Sequence, residues 1–226
     1  MPLRRRATGA AKSMLGAALN AVAPGRIVRD RLVLLAAHRV DDHYAGDPLT
    51  LSVREFDRYC GFLARHFRVV SLREQLRRLR AGRAEAAGTV SITFDDGYAC
   101  NHEYAAPVLE RYELPATFFI AAGFVGTERV PWWDEQHATP PRWMSWDQVR
   151  ALDRGGFEIG CHSMNHVDFG QVSTAEAREE LATSRARLER ELGHPVDLFA
   201  YPYGGAHQMS AANLEVVREL GFLCSM

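Results

Sequence analysis

Cysteine is scarce in this chain: 4 residues in 226, at Cys60, Cys100, Cys161 and Cys224, with no CxxC pair. That scarcity excludes a disulfide scaffold and a cysteine-built structural zinc site, and points to unpaired thiols in a reducing compartment. Long hydrophobic runs are missing as well, so no segment is expected to cross a membrane. Net charge is nearly absent: 27 Lys+Arg stand against 28 Asp+Glu, a balance of −1. A protein-wide positive field is thereby excluded, and with it a nucleic-acid partner of the usual kind. No near-identical repeat occurs, and no low-complexity tract outside the first thirty residues.

What remains, 47% hydrophobic and 24% charged residues, is the composition of a soluble globular protein. The near-zero charge hides an asymmetry. Residues 1–31 carry Arg4, Arg5, Arg6, Lys12, Arg26, Arg29 and Arg31 against Asp30 alone, a net +6, and the rest of the chain holds −7. Residues 1–30 therefore form a basic N-terminal extension. Met14, Leu15, Ala18, Leu19 and Val22 fall at helical spacing within it, which suits weak contact with an anionic membrane surface; a loosely docked extension is the alternative. The extension has the charged start of a secretory signal but a weak apolar stretch. A cytoplasmic protein peripheral to the inner face of the membrane is the expectation, with secretion as the rival.

From residue 31 onward, short apolar runs alternate with amphipathic helical patterns and no linker interrupts them. Residues 31–37 read as a buried strand, and 89–94 as the clearest strand, β-branched and aromatic. Further strands are expected at 116–122, 157–162, 197–201 and 222–226. Ser52, Ser71, Ser145, Ser173 and Ser210 stand where helices should begin; Glu74 and Glu176 complete capping boxes with Ser71 and Ser173. The charged helix over 174–192 reads as a solvated exterior face. Residues 123–143 read as a long irregular loop, a feature that in compact domains usually carries function. Repeated β-α units imply a single α/β domain over 31–226 with a parallel sheet, barrel or open.

The unusual polar residues follow strand ends, where parallel α/β folds build their sites. Asp95 and Asp96 are adjacent carboxylates that repel unless a cation or proton offsets them, although Asp-Asp-Gly is also good turn chemistry. His162 and His166 are spaced to reach one ion, or else are two surface histidines. Two His and one Asp leave room for water, the composition of an open metal site. Trp132, Trp133 and Asp134, with Trp143 and Trp146 nearby, suit a wall that stacks on sugar rings, or a loop pinned by its own aromatics. His43, His102, His137, His194 and His207 show no partner pattern, and Cys161 reads as core filling.

TFDDG at 93–97, HSMNH at 162–166 and FAYPYG at 199–204 together resemble the motifs of the polysaccharide deacetylases, the NodB-homology type grouped as carbohydrate esterase family 4. The resemblance runs over 31–226 and implies a distorted (β/α)7 barrel, settling what periodicity leaves open. It implies Asp95 as general base and Asp96, His162 and His166 as ligands of one divalent metal ion, zinc foremost, with cobalt, nickel or iron as alternatives. The Tyr203 N–H would stabilise the oxyanion, and Trp133, Pro202 and Tyr203 would contact substrate. Leu35-Ala-Ala-His38 has the pattern of the family's late general-acid motif, displaced to the first strand as in a permuted subgroup, so His38 is the implied acid. The implied function is removal of N-acetyl groups from a polysaccharide or glycoconjugate. A same-fold hydrolase of a cyclic imide or ureide, and a glycan-binding protein without turnover, are the rivals. Two departures stand out. Ala200 occupies the position of an arginine that often orients the base, leaving Arg39 as a substitute by proximity alone. The chain also ends at Met226, earlier than relatives usually do, so the domain is expected to be short at its C-terminal end.

Overall fold

The computed structural model describes residues 31–44, 46–82 and 87–225. The basic extension over 1–30, with its expected membrane contact, lies outside the described residues. No helix among the described residues is long and apolar enough to cross a membrane.

The chain alternates strand and helix as its patterning predicts. In order come β1 (Val33–Ala37), β2 (Arg39–Val40), β3 (Thr50–Leu51), α1 (Val53–His66), β4 (Arg68–Val69), α2 (Leu72–Ala81) and β5 (Thr89–Phe94). They are followed by α3 (Ala106–Arg111), β6 (Thr117–Ile120), α4 (Trp146–Arg154), β7 (Glu158–Cys161), α5 (Thr174–Leu192), β8 (Leu198–Phe199), α6 (Ala211–Glu219) and β9 (Cys224–Ser225). Serine hydroxyls at 52, 71, 145, 173 and 210 each accept from a backbone N–H in the first turn, satisfying donors that a helix start leaves orphaned. Gly193 closes α5 in the left-handed conformation. A wide turn over Asn101–Ala105 precedes α3, because Pro107 has no N–H for the ladder.

Seven strands form one parallel sheet in the order β1-β5-β6-β7-β8-β9, with β4 also on β5; β2 and β3 make a separate parallel pair. The sheet is an α/β half-barrel of the expected strand number, and among the described residues β1 and β9 do not pair. β5 is buried along its whole length, and Phe94 at its C-terminal end stacks on Phe118. β1 departs from the expected buried strand: Leu35 is 39% exposed, because β1 has β5 on one side and, among the described residues, no paired strand on the other.

Register places the site. Ala37 pairs with Phe94, Phe94 with Phe118, Ile120 with Cys161, and Cys161 with Phe199. The ladder continues one step further through Asp95 N–H to Ala37 C=O at 3.0 Å and His162 N–H to Ile120 C=O at 3.0 Å. His38, Asp95, Asp96, His162 and Ala200 therefore leave the sheet along one edge.

Candidate metal centre

Asp96, His162 and His166 converge at that edge, their ligating atoms all within 4.8 Å of one another and all three residues buried. Asp96 Oδ1 lies 3.3 Å from His162 Nε2 and 3.0 Å from His166 Nε2. His162 Nδ1 is 2.9 Å from the Ala200 carbonyl oxygen, which can only accept, so Nδ1 carries the proton. The neutral ring then turns an Nε2 lone pair toward a carboxylate oxygen. Lone pairs aimed at one another in a buried space call for a positive charge between them, and a divalent cation suits this donor set. Without a cation, a proton substitutes. Burial opposes charging His162, yet the bond to Asp96 and the two neighbouring carboxylates raise its pKa. Burial, largest of the influences on Asp96, would raise its carboxyl, but the two imidazoles hold it below the usual carboxylate range. His166 is shifted down, chiefly by burial.

The backbone around these ligands is unusual. Asp96, Ser163, His166 and Tyr203 have φ of 75°, 62°, 56° and 67°, four of the five non-glycine residues at positive φ among the described residues. Side chains at such φ cost free energy that the surroundings must offset, and such residues gather at functional sites.

Asp95 adjoins the cluster. Burial pushes its carboxyl up, opposed by the imidazoles of His162, His38 and His166, while Asp96 adds to the rise. Its Oδ1 is buried and finds no donor among the described residues. His38, at the end of β1, is half-buried and within electrostatic reach of Asp95; its carbonyl accepts from Asn101 Nδ2 at 2.8 Å.

Arg39 does not orient Asp95. Its guanidinium is fully buried on the other side, paired with Asp134 and, at 2.7 Å, with Asp47, while Nε donates to Thr50 at 2.9 Å. Successive residues leaving a strand point to opposite sides, so proximity to His38 in sequence sends Arg39 away from the base. The same network reaches the site by another route. Tyr98 donates to Asp134 Oδ2 at 2.7 Å, and the Trp133 indole N–H donates to the Tyr98 hydroxyl at 2.8 Å. Trp133 is thereby held with its ring 4.6 Å from that of His166, and Tyr203 closes on His166 at 4.7 Å.

The aromatic wall is smaller than expected. Trp133 faces the cluster, Trp132 is 68% exposed beside it, and Tyr203 is 43% exposed. Trp143 is buried, stacked on Tyr98 at 4.5 Å, and Trp146 starts α4 with Arg187 over its ring. Both serve the core because hydrophobic packing claims any indole that a loop or helix start turns inward. Pro202 is buried between Tyr201 and Tyr203. Sequence reasoning missed the Ala200 carbonyl, since a backbone acceptor leaves no trace in residue identity.

A family model described as polysaccharide deacetylase matches residues 82–224, more than half of the chain. The putative polysaccharide deacetylase YxkH of Bacillus subtilis (strain 168) is 23% identical over 175 residues, which cover 77% of this chain and 57% of that protein. The poly-beta-1,6-N-acetyl-D-glucosamine N-deacetylase of Escherichia coli (strain K12) is 24% identical over 224 residues, covering 84% of this chain and 33% of the relative. The chain thus spans between a third and about three-fifths of the length of these curated relatives. The solved structure of IcaB from Ammonifex degensii superposes with a TM-score of 0.69 at 26% identity, covering 84% of this chain and 80% of that one.

Proposed function

The chain belongs to the polysaccharide deacetylase family, and from that membership and the site we propose that it hydrolyses the N-acetyl amide of an N-acetylated glycan with the help of a divalent metal ion. One observation carries the reading: Asp96, His162 and His166 converge in a buried cluster with Asp95 beside them, on the edge where the sheet ends. Asp96, His162 and His166 would hold the cation, which would supply Lewis acidity toward the acetyl carbonyl and acidify a bound water. Zinc fits two imidazoles and a carboxylate, and cobalt, nickel or iron satisfy the same donors.

The chain's own groups do the rest. Asp95, its carboxyl raised by burial, takes the proton of the attacking water. Because Asp95 Oδ1 has no competing donor among the described residues, it is free to accept one. His38, across from Asp95, gives a proton to the departing amine. The Tyr203 N–H is assigned to the oxyanion, a role typically worth about 3–4 kcal/mol. Trp133 and Tyr203 line the path of the sugar, and the buried Pro202 supports Tyr203 from behind. The name of the Escherichia coli relative specifies an N-acetylglucosamine polymer, so β-1,6-linked N-acetylglucosamine oligomers are the first substrate to test.

Acetate release and bound metal are measured together. Asp96→Asn is expected to lose both. Asp95→Asn is expected to keep the metal and lose about 10²–10⁴-fold in turnover. Full activity after chelation, or hydrolysis of a cyclic imide in place of the glycan, overturns the proposal.

A further inference from the structure

The loop that carries both histidines is held by a carboxylate outside every motif. Glu180 lies on α5, two turns in from the N-terminus of a helix whose alternating charges read as a solvated face. Its Oε2 accepts from the Met164 N–H at 3.0 Å and the Asn165 N–H at 2.7 Å, and its Oε1 accepts from Asn165 Nδ2 at 2.7 Å. Both backbone donors lie between Ser163 and His166, the two residues that take the left-handed conformation, at φ of 62° and 56°. Such backbone persists only where its surroundings over-determine it.

The other fastenings hold the opposite, carbonyl side of the same turn. Ser163 C=O accepts from Ser184 Oγ at 2.9 Å and from the Ala122 N–H at 3.2 Å, and Met164 C=O accepts from the Gly123 N–H at 2.8 Å. A Cβ on residue 123 would stand 2.5 Å from the Met164 oxygen, so only glycine permits that approach. Arg129 Nη1 donates to Asn165 Oδ1 at 2.8 Å, which fixes the amide with its Nδ2 toward Glu180. Glu180 is the acceptor for the two N–H groups immediately before His166.

We propose that Glu180 is a positioning residue for the metal site: its carboxylate holds the 163–166 turn in the strained form that aims His166 at Asp96. The inference rests on the metal reading proposed above. Glutamine at 180 keeps the shape, but its amide nitrogen is a donor where donors already point. One of the three contacts is then lost, and the turn relaxes away from the geometry that brings His166 Nε2 to 3.0 Å from Asp96 Oδ1.

The test uses the full chain, stripped of metal and titrated with zinc against a competing chelator; the cobalt form is read by its visible spectrum. Glu180→Gln is expected to weaken zinc about 10–100-fold, as loss of an orienting partner typically does, and to alter the cobalt spectrum. The melting temperature of the metal-free protein is expected to stay near that of the wild type. Glu179→Gln, an exposed neighbour on the same helix, is expected to bind zinc as the wild type does. Equal zinc affinity and equal cobalt spectra for Glu180→Gln and wild type overturn the inference while leaving the metal reading intact. Wild type that takes up no zinc or cobalt overturns both. If Glu180→Gln does not fold, Glu180→Asp makes the same comparison: it keeps the charge but falls short of the turn, so wild-type affinity in that variant counts equally against the inference.

Discussion

At the scale of single residues, the chain places its polar groups with uneven visibility. Asp95, Asp96, His162 and His166 are conspicuous in the sequence because carboxylates and imidazoles after apolar strands are costly unless something uses them. Their division of labour is less visible. Asp96 turns into the two imidazoles through a positive φ, while Asp95 stays beside them. Arg39 shows the limit of adjacency: one residue after His38, it serves a buried network with Asp134, Asp47 and Thr50. Removing one partner of such a network leaves a charge uncompensated in the interior. Arg39→Ala is accordingly expected to cost about 3–5 kcal/mol in urea unfolding, and to loosen Trp133 through Asp134 and Tyr98. A cost below about 1 kcal/mol would show that water reaches Asp134 and that the network contributes little.

At the scale of elements, the helices announce themselves and the strands only partly do. Ser52, Ser145 and Ser173 each sit at the start of a helix and meet a Glu or Gln three residues on, a local code that needs no tertiary partner. The two-residue strands β2, β3 and β4 are too short for any period, so pairing alone defines them, whereas β8 and β9 are two-residue pieces of the runs expected over 197–201 and 222–226. Elements also cap one another across the fold. Glu158 on β7 accepts from the Leu72 and Arg73 N–H groups at 3.0 and 3.2 Å, and from Thr117 Oγ1 at 2.7 Å. A carboxylate there satisfies two orphan donors and complements the dipole of α2. Glu158→Gln is expected to destabilise the protein by about 1–2 kcal/mol, read as a lower urea midpoint with unchanged slope. An unchanged midpoint would mean that Ser71 caps α2 sufficiently alone.

At the scale of the whole molecule, stability depends on pH through ties between distant elements. His194, on the connection between α5 and β8, has Nε2 2.8 Å from Asp153 Oδ1 at the end of α4. The Asp153 bond and the Pro195 carbonyl raise its pKa. A group with a raised folded pKa adds stability that is full below its unfolded value, about 6.5, and fades as pH climbs through the folded value. The melting-temperature gap between wild type and His194→Ala is therefore expected to be largest below about pH 6.5 and to shrink as pH rises above it. A gap that stays constant as pH rises would assign the effect to packing.

The sequence by itself determined the β-α alternation, the helix starts, the parallel sheet and the residue types of the site, because each follows from local periodicity, capping chemistry or the cost of burying charge. Only the tertiary structure decided that β1 lies half open, that the indoles of Trp143 and Trp146 turn into the core, and that Arg39 leaves the base alone. It also decided which groups steady the histidines: the Ala200 carbonyl and the Glu180 carboxylate. A hydrogen bond that closes between elements far apart in the chain depends on where the backbone passes, and residue identity at either end does not record it.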